Sequence, residues 1–272
     1  IENPVYPAPV RGIQDVANRK DYSVIIHSTD GDERKEIETI NRLIAVGVDG
    51  LIINISESCA FLGEEIKRLR KETLPIVALG PWHTDLEIDC VSVDNQQGAY
   101  LATEHLLKLG HRKIAIVLGP QENLSSRERF HGYKKAMDDA CAKVLPDLIL
   151  EGNFKMGSGY KAVKNLLARG EKPDAIFCVN DVMALGAMKA IQEEGFRIPE
   201  DIAVIGFDDI ELAAISRPSL SSVAQPKYET GKIAAELLFQ QIKGPLSEGK
   251  YYSIEPNLAI RESTLKVKET IP

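Results

Sequence analysis

The sequence predicts an α/β protein made of two similar doubly wound lobes, each a mostly parallel sheet covered by helices. Short apolar segments rich in β-branched residues alternate with amphipathic helical patterns along most of the 272 residues, as βα units of a parallel sheet do. More such units occur than one doubly wound sheet comfortably holds, and the alternation restarts after Gly119-Pro120. A hydrophobic content of 44% with 27% charged residues is that of a soluble globular chain.

Taken in order, Ile1 to Pro7 reads as a loop because Pro4 and Pro7 break hydrogen bonding. Ala8 to Arg19 is a helix with Val10, Ile13, Val16 and Ala17 on one stripe, and Tyr22 to His27 (YSVIIH) is predicted as a strand. A second helix carries Ile37, Ile40, Leu43 and Ile44, followed by a strand at Gly50 to Asn54. The pattern continues with a helix from Phe61 to Arg70, strands at Pro75 to Leu79 and Cys90 to Val93, a helix from Asn95 to Leu109, and a strand from Lys113 to Leu118. After the Gly119-Pro120 junction come a helix at Arg127 to Ala142, a strand at Leu148 to Glu151 and a helix at Gly157 to Arg169. Leu220 to Ala224 is extended, Glu229 to Ile242 helical, and Tyr251 to Arg261 extended again. The chain opens on a loop and a helix with no strand before them, unlike every later helix.

The run from Asp174 to Glu211 carries the strongest functional signal. It reads as a strand ending at Asn180-Asp181, a crossover helix, and a parallel strand ending at Asp208-Asp209. Ligands bind outside the carboxyl ends of such strands, so these four residues stand where recognition groups would be placed. The same residues also suit plainer roles, Asn180 as a helix cap and Asp208 as the start of a turn.

Several function classes are disfavoured. A net charge of −7 with no polybasic run argues against this chain holding nucleic acid by its own surface. Cys59, Cys90, Cys141 and Cys178 form no metal or redox spacing and read as free thiols, which suits a reducing cytoplasm. No apolar run is long enough to span a membrane, and no signal peptide is visible. The five histidines fall in no Ser/His/Asp or metal-ligand pattern and no GxGxxG follows a strand, so neither catalysis, a metal nor a cofactor is expected.

The motifs together resemble the effector-binding core of the bacterial lactose/galactose-repressor-type (LacI/GalR) regulators, which share the periplasmic sugar-binding fold. The resemblance runs from Asn3 to about Thr264. It is carried by NPVY at Asn3 to Tyr6, VDGLIIN at Val48 to Asn54, VDNQQGAYLATEHLLKLGHRKIAIVLGP at Val93 to Pro120, and RERFHGYKKAM at Arg127 to Met137. AIFCVNDVMALGAMKAI at Ala175 to Ile191, IPEDIAVIGFDDIELA at Ile198 to Ala213 and LAIRES at Leu258 to Ser263 complete it. It implies two lobes joined by three crossovers with the ligand between them, residues 1–118 plus 226–247 forming the first and 119–225 plus 248–272 the second. It also implies that a DNA-binding headpiece and the first strand of the first lobe lie outside this chain.

Carried over residue by residue, the resemblance places Arg129 as the effector-binding arginine, Asp208 as a hydrogen-bond acceptor for ligand and Asn180 as a polar contact. Ser125 matches a hydroxyl contact, Phe154 an aromatic wall, Tyr6 a ring, Asn54 a strand-end amide and Asp94 a residue near the cleft. Carboxylates and amides around an aromatic platform suit a polyhydroxylated sugar, whose C–H faces stack on rings while its hydroxyls pair with Asp and Asn. Arg129 would otherwise pair with Glu128 or Glu104 at the surface, Asp94 cap a helix, and Phe154 and Tyr6 pack ordinarily. Trp82 reads as a lid or as an exposed loop residue.

The resemblance therefore implies a cytoplasmic, homodimeric transcription regulator core that senses a small-molecule effector, a carbohydrate by the residues above, and controls operator DNA binding through the headpiece. A periplasmic sugar-binding protein of a transporter is the alternative. The stretch Asn3 to Asp32 is particularly similar to the catabolite-control branch, which implies a phosphocarrier protein as a possible corepressor.

Overall fold

The computed structural model describes residues 4–29, 32–55, 60–81 and 86–265. The chain divides into two compact units, one of residues 1–93 with 226–254 and the other of 94–225 with 255–272. It therefore crosses between units three times, after Val93, Gln225 and Ile254.

Unit 1 holds a four-stranded parallel sheet in the order β1 (Leu51–Asn54), β2 (Ile76–Leu79), β3 (Asp89–Val93), β9 (Tyr251–Ile254). On one face α2 (Glu33–Ala45) and α3 (Ala60–Lys71) bury Ile40, Leu62, Ile66 and Leu69 against β1 and β2. On the other, α9 (Lys227–Lys243) sets Ala234, Leu237 and Leu238 over Val77 and Val91. Helix α1 (Pro7–Asn18) crosses α9 at two glycines: a Cβ on Gly12 would lie 2.2 Å from the Tyr228 carbonyl oxygen, and one on Gly231 2.0 Å from that of Pro9. Only hydrogen in place of a side chain permits so close a backbone approach.

Unit 2 holds a six-stranded sheet in the order β10 (Asn257–Ala259), β8 (Ser221–Ala224), β7 (Ala203–Asp208), β6 (Ala175–Cys178), β4 (Ile114–Leu118), β5 (Ile149–Glu151). All its pairings are parallel except β10 with β8. Helices α4 (Asn95–Lys108), α5 (Leu124–Asp139), α6 (Met156–Ala168) and α7 (Asp181–Glu193) flank it. Strands β4, β6 and β7 are buried almost throughout, as near-continuous Val/Ile/Ala runs of a sheet covered on both faces should be. A short helix, α8 (Glu211–Ile215), follows β7.

Two expectations need correction. Residues 22–27 form no strand, and Ile25 and Ile26 are exposed. A β-rich composition makes a strand only where a neighbour accepts its hydrogen bonds, and β1, the outer strand beside β2, does not pair with this segment. The lobe boundaries also move. Helix α4 and strand β4, placed at the sequence level in the first lobe by the limit at 118, belong to unit 2, because β4 pairs with β5 and β6. Strand β9 pairs with β3 and so belongs to unit 1, although residues 248–272 were expected in the other lobe.

Candidate functional site

Helix α5 starts beyond the carboxyl end of β4. Asn123 caps it, accepting from the Ser126 amide at 2.9 Å, and Ser126 Oγ accepts from the Gly119 amide at 3.0 Å, which fixes the turn between strand and helix. Ser125 is half-buried in the first turn, and Arg129 lies four residues on, along the same face.

Arg129 is only 7% exposed. Instead of a surface pair with Glu128 or Glu104, it enters a buried network. Its Nε donates to Asn95 Oδ1 at 2.9 Å and its Nη1 to the Val179 carbonyl. The guanidinium carbon lies 3.7 Å from the centroid of the Phe207 ring, and Nη1 stands 3.6 Å from Asp208 Oδ1. Glu104 pairs with Lys108, while Glu128 accepts from Asn95 Nδ2 at 2.8 Å. Burial pushes the Glu128 carboxyl above its ordinary value, against the opposing pull of that hydrogen bond and of Arg129.

Asp208 ends β7 and is 3% exposed, and its Oδ1 accepts from Gln225 Nε2. It and Asp209 both have positive φ, 113° and 51°, a backbone that side-chain-bearing residues rarely adopt. Such strain persists only where the surroundings hold it, and here they do. The Asp209 amide donates to Ser222 Oγ at 3.0 Å and its carboxylate meets Arg261 at 2.7 Å. Asp181, fully buried, accepts from the Ile210 amide at 2.9 Å and from Ser222 Oγ at 2.6 Å. A Cβ on Gly206 would lie 2.1 Å from Asp181 Oδ1, so glycine there admits the carboxylate. Burial, then the charge of Asp208, raises the Asp181 carboxyl well above its ordinary value.

Asn180 is buried and its Oδ1 accepts from the Met183 amide at 2.9 Å, which makes it the cap of α7. Its Nδ2 donates to the Phe154 carbonyl at 3.0 Å. Phe154 sits at φ +63°, and the tip of its ring lies over Gly119, where a Cβ would stand 2.2 Å from Cζ. Asp94 caps α4, accepting from the Gln97 amide at 2.8 Å. In unit 1, Tyr6 starts α1 and its hydroxyl accepts from Asn54 Nδ2 at 3.4 Å, bringing those two residues together. Trp82 lies outside the described residues.

Arg129 and Asp208 thus meet, as do Asn180 and Phe154, while Asp94 adjoins this group beside Asn95, whose amide bonds Arg129 and Glu128. Sequence reasoning missed Asn95, Phe207 and Gln225. A second polar residue after Asp94 at a strand end, and an aromatic between Gly206 and Asp208, were the available signals; Gln225 offered only its place before Pro226. The resulting site is a charge-balanced donor and acceptor backed by an aromatic ring. Such a pair suits a hydroxyl, which both donates and accepts. Among the described residues no cluster of His, Cys, Asp or Glu could hold a metal ion, and no helix is long and apolar enough to cross a membrane.

Residues 103–264 match the model of the periplasmic binding protein-like domain. The chain is 35% identical over 266 residues to the ribose operon repressor of Haemophilus influenzae, covering 98% of this chain and 79% of that protein. It is 37% identical over 271 residues to the HTH-type transcriptional repressor PurR of Aliivibrio salmonicida, covering 97% and 79%. A LacI family transcriptional regulator from Enterococcus faecium with bound ribose superposes with a TM-score of 0.85 at 30% identity, covering 98% of this chain and 97% of that one.

Proposed function

This chain is the effector-binding core of a LacI-family transcriptional repressor, and we propose that its effector is a neutral polyhydroxylated molecule of the monosaccharide class. The observation that carries this reading is the buried Arg129–Asp208 pair at 3.6 Å. Its charges compensate one another, so a ligand bringing a net charge would meet no uncompensated partner, whereas a hydroxyl can accept from the guanidinium and donate to the carboxylate. The regulator whose structure holds ribose supports the same class. In unit 2 the proposed contacts are Ser125, Arg129, Phe154 and Asp208, with Asn180 and Asp94 shaping the strand ends as caps. In unit 1, Tyr6 and Asn54, bonded to each other, are proposed as polar groups for a ligand hydroxyl.

The protein acts in the cytoplasm on operator DNA as a homodimer in this proposal. Effector binding changes operator affinity by the 1–3 kcal/mol usual for such coupling, about 5- to 150-fold. Titrating operator with the full-length repressor, with and without a sugar shown to bind, tests this. A change of that size is expected, and an unchanged affinity refutes it. A response to a phosphocarrier protein but to no sugar would assign the effector role to a protein instead.

A further inference from the structure

Two side-chain amides hold the two charged members of the site, and both stand beside points where the chain passes between units. Asn95 is two residues beyond the crossing after Val93. It is 4% exposed and spends both ends of its amide, Nδ2 on Glu128 and Oδ1 on Arg129 Nε. Gln225 is the last residue before the crossing into Pro226, and its Nε2 donates to Asp208 Oδ1. Pro226 has a ring-locked φ of −75°, and α9 begins at the next residue. Pro226 therefore removes one backbone torsion between Gln225 and α9.

We propose that Asn95 and Gln225 are positioning residues that tie Arg129 and Asp208 to two of the three crossings, so that occupancy of the pair is transmitted to the backbone there. The inference rests on the reading that this pair receives the effector. A ligand hydroxyl that draws Asp208 or Arg129 toward itself changes the length and direction of the bonds to Gln225 and Asn95. The crossing segments are the covalent route by which that change leaves unit 2. Removing the tether should cost transmission more than binding.

The test uses full-length repressor carrying Gln225→Met, which keeps the side-chain length and deletes the donor, and Asn95→Asp, which keeps the acceptor facing Arg129. D-ribose is the probe, with operator affinity and sugar affinity measured separately and the thermal midpoint confirming folding. In Gln225→Met the sugar's affinity is expected to fall less than about tenfold while its effect on operator affinity, about 5- to 150-fold in the parent protein, shrinks toward unity. Asn95→Asp is expected to retain part of that effect. Equal losses of binding and transmission in Gln225→Met, or none, would overturn the proposal. If D-ribose does not bind the parent protein, the ligand-free arm still decides. Cutting the tether should then shift operator affinity by about fivefold or more, and identical affinities for parent and Gln225→Met refute the tether while leaving the identity of the effector a separate matter.

Discussion

Replacing Arg129 by methionine keeps an unbranched side chain over Phe207 but removes the cation. At 3.6 Å the pair with Asp208 has a Coulomb energy of about 4–5 kcal/mol at an effective dielectric of about 20. The net cost is set by what remains: a carboxylate 3% exposed without its cation, and the Asn95 Oδ1 and Val179 carbonyl acceptors without their donor. Breaking a buried pair in this way costs about 3–5 kcal/mol. Asp208→Asn in the same background removes the orphaned charge yet leaves an acceptor for Gln225. The double variant should therefore recover at least about 1.5 kcal/mol relative to the sum of the singles. Amide exchange at Val204 to Phe207, in the centre of the unit 2 sheet, reads the opening of that unit. Arg129→Met should accelerate exchange there by roughly a hundredfold to a few thousandfold, at about 1.4 kcal/mol per factor of ten. Additivity of the two substitutions to within about 0.5 kcal/mol would refute the view that these residues act as one buried pair.

Asp181 makes stability depend on pH. Its folded-state carboxyl titrates above the ordinary 3.8, so the folded form holds its proton after the unfolded chain has released it. The associated stability is complete below that ordinary value and is lost as pH rises toward the folded one. Asp181→Asn should flatten this decline in urea denaturation across that window, and an unchanged slope would contradict the assignment. Asn180→Ala removes the cap of α7 and the donor to the Phe154 carbonyl and should cost about 1–2 kcal/mol without any ligand present; a loss seen only with effector bound would make Asn180 a ligand contact instead. Gly206→Ala forces a methyl to within 2.1 Å of Asp181 Oδ1 and should lower the thermal midpoint, with an overpacking cost of about 1–3 kcal/mol. Wild-type stability in that variant would mean the carboxylate has room to move.

What the sequence made legible was mainly local. Helical stripes such as Ile13, Val16 and Ala17 in α1 and Val163–Leu166 in α6 are set by side chains three or four residues apart, and they lie where periodicity placed them. Partnership was harder. Tyr22 to His27 has the residues of a strand, yet pairing is settled by a neighbour far away in sequence, and there it makes no ladder. The same applies to β4, whose own residues say nothing of which sheet it joins. At the site, Arg129 and Asp208 were each visible in a motif, but their meeting from positions 129 and 208 was implied only by resemblance. Asn180 illustrates the opposite case, since the plain capping role is the one its observed bonds fill. Asn95, the first residue of α4, and Gln225, in the connection before α9, are single amides whose partners lie far away in sequence, so their bonds to Arg129 and Asp208 are seen only in the three-dimensional network.

The central claim is that a neutral, hydroxyl-rich effector is recognised by the Arg129–Asp208 pair. The most direct measurement is a thermal-shift screen of neutral monosaccharides, phosphosugars and nucleosides against the parent chain and Arg129→Met, since a ligand that binds only the folded form raises the midpoint by mass action. A neutral monosaccharide should give the largest rise in the parent chain and none in Arg129→Met. A rise given only by phosphosugars or nucleosides, or one that survives in Arg129→Met, would contradict it.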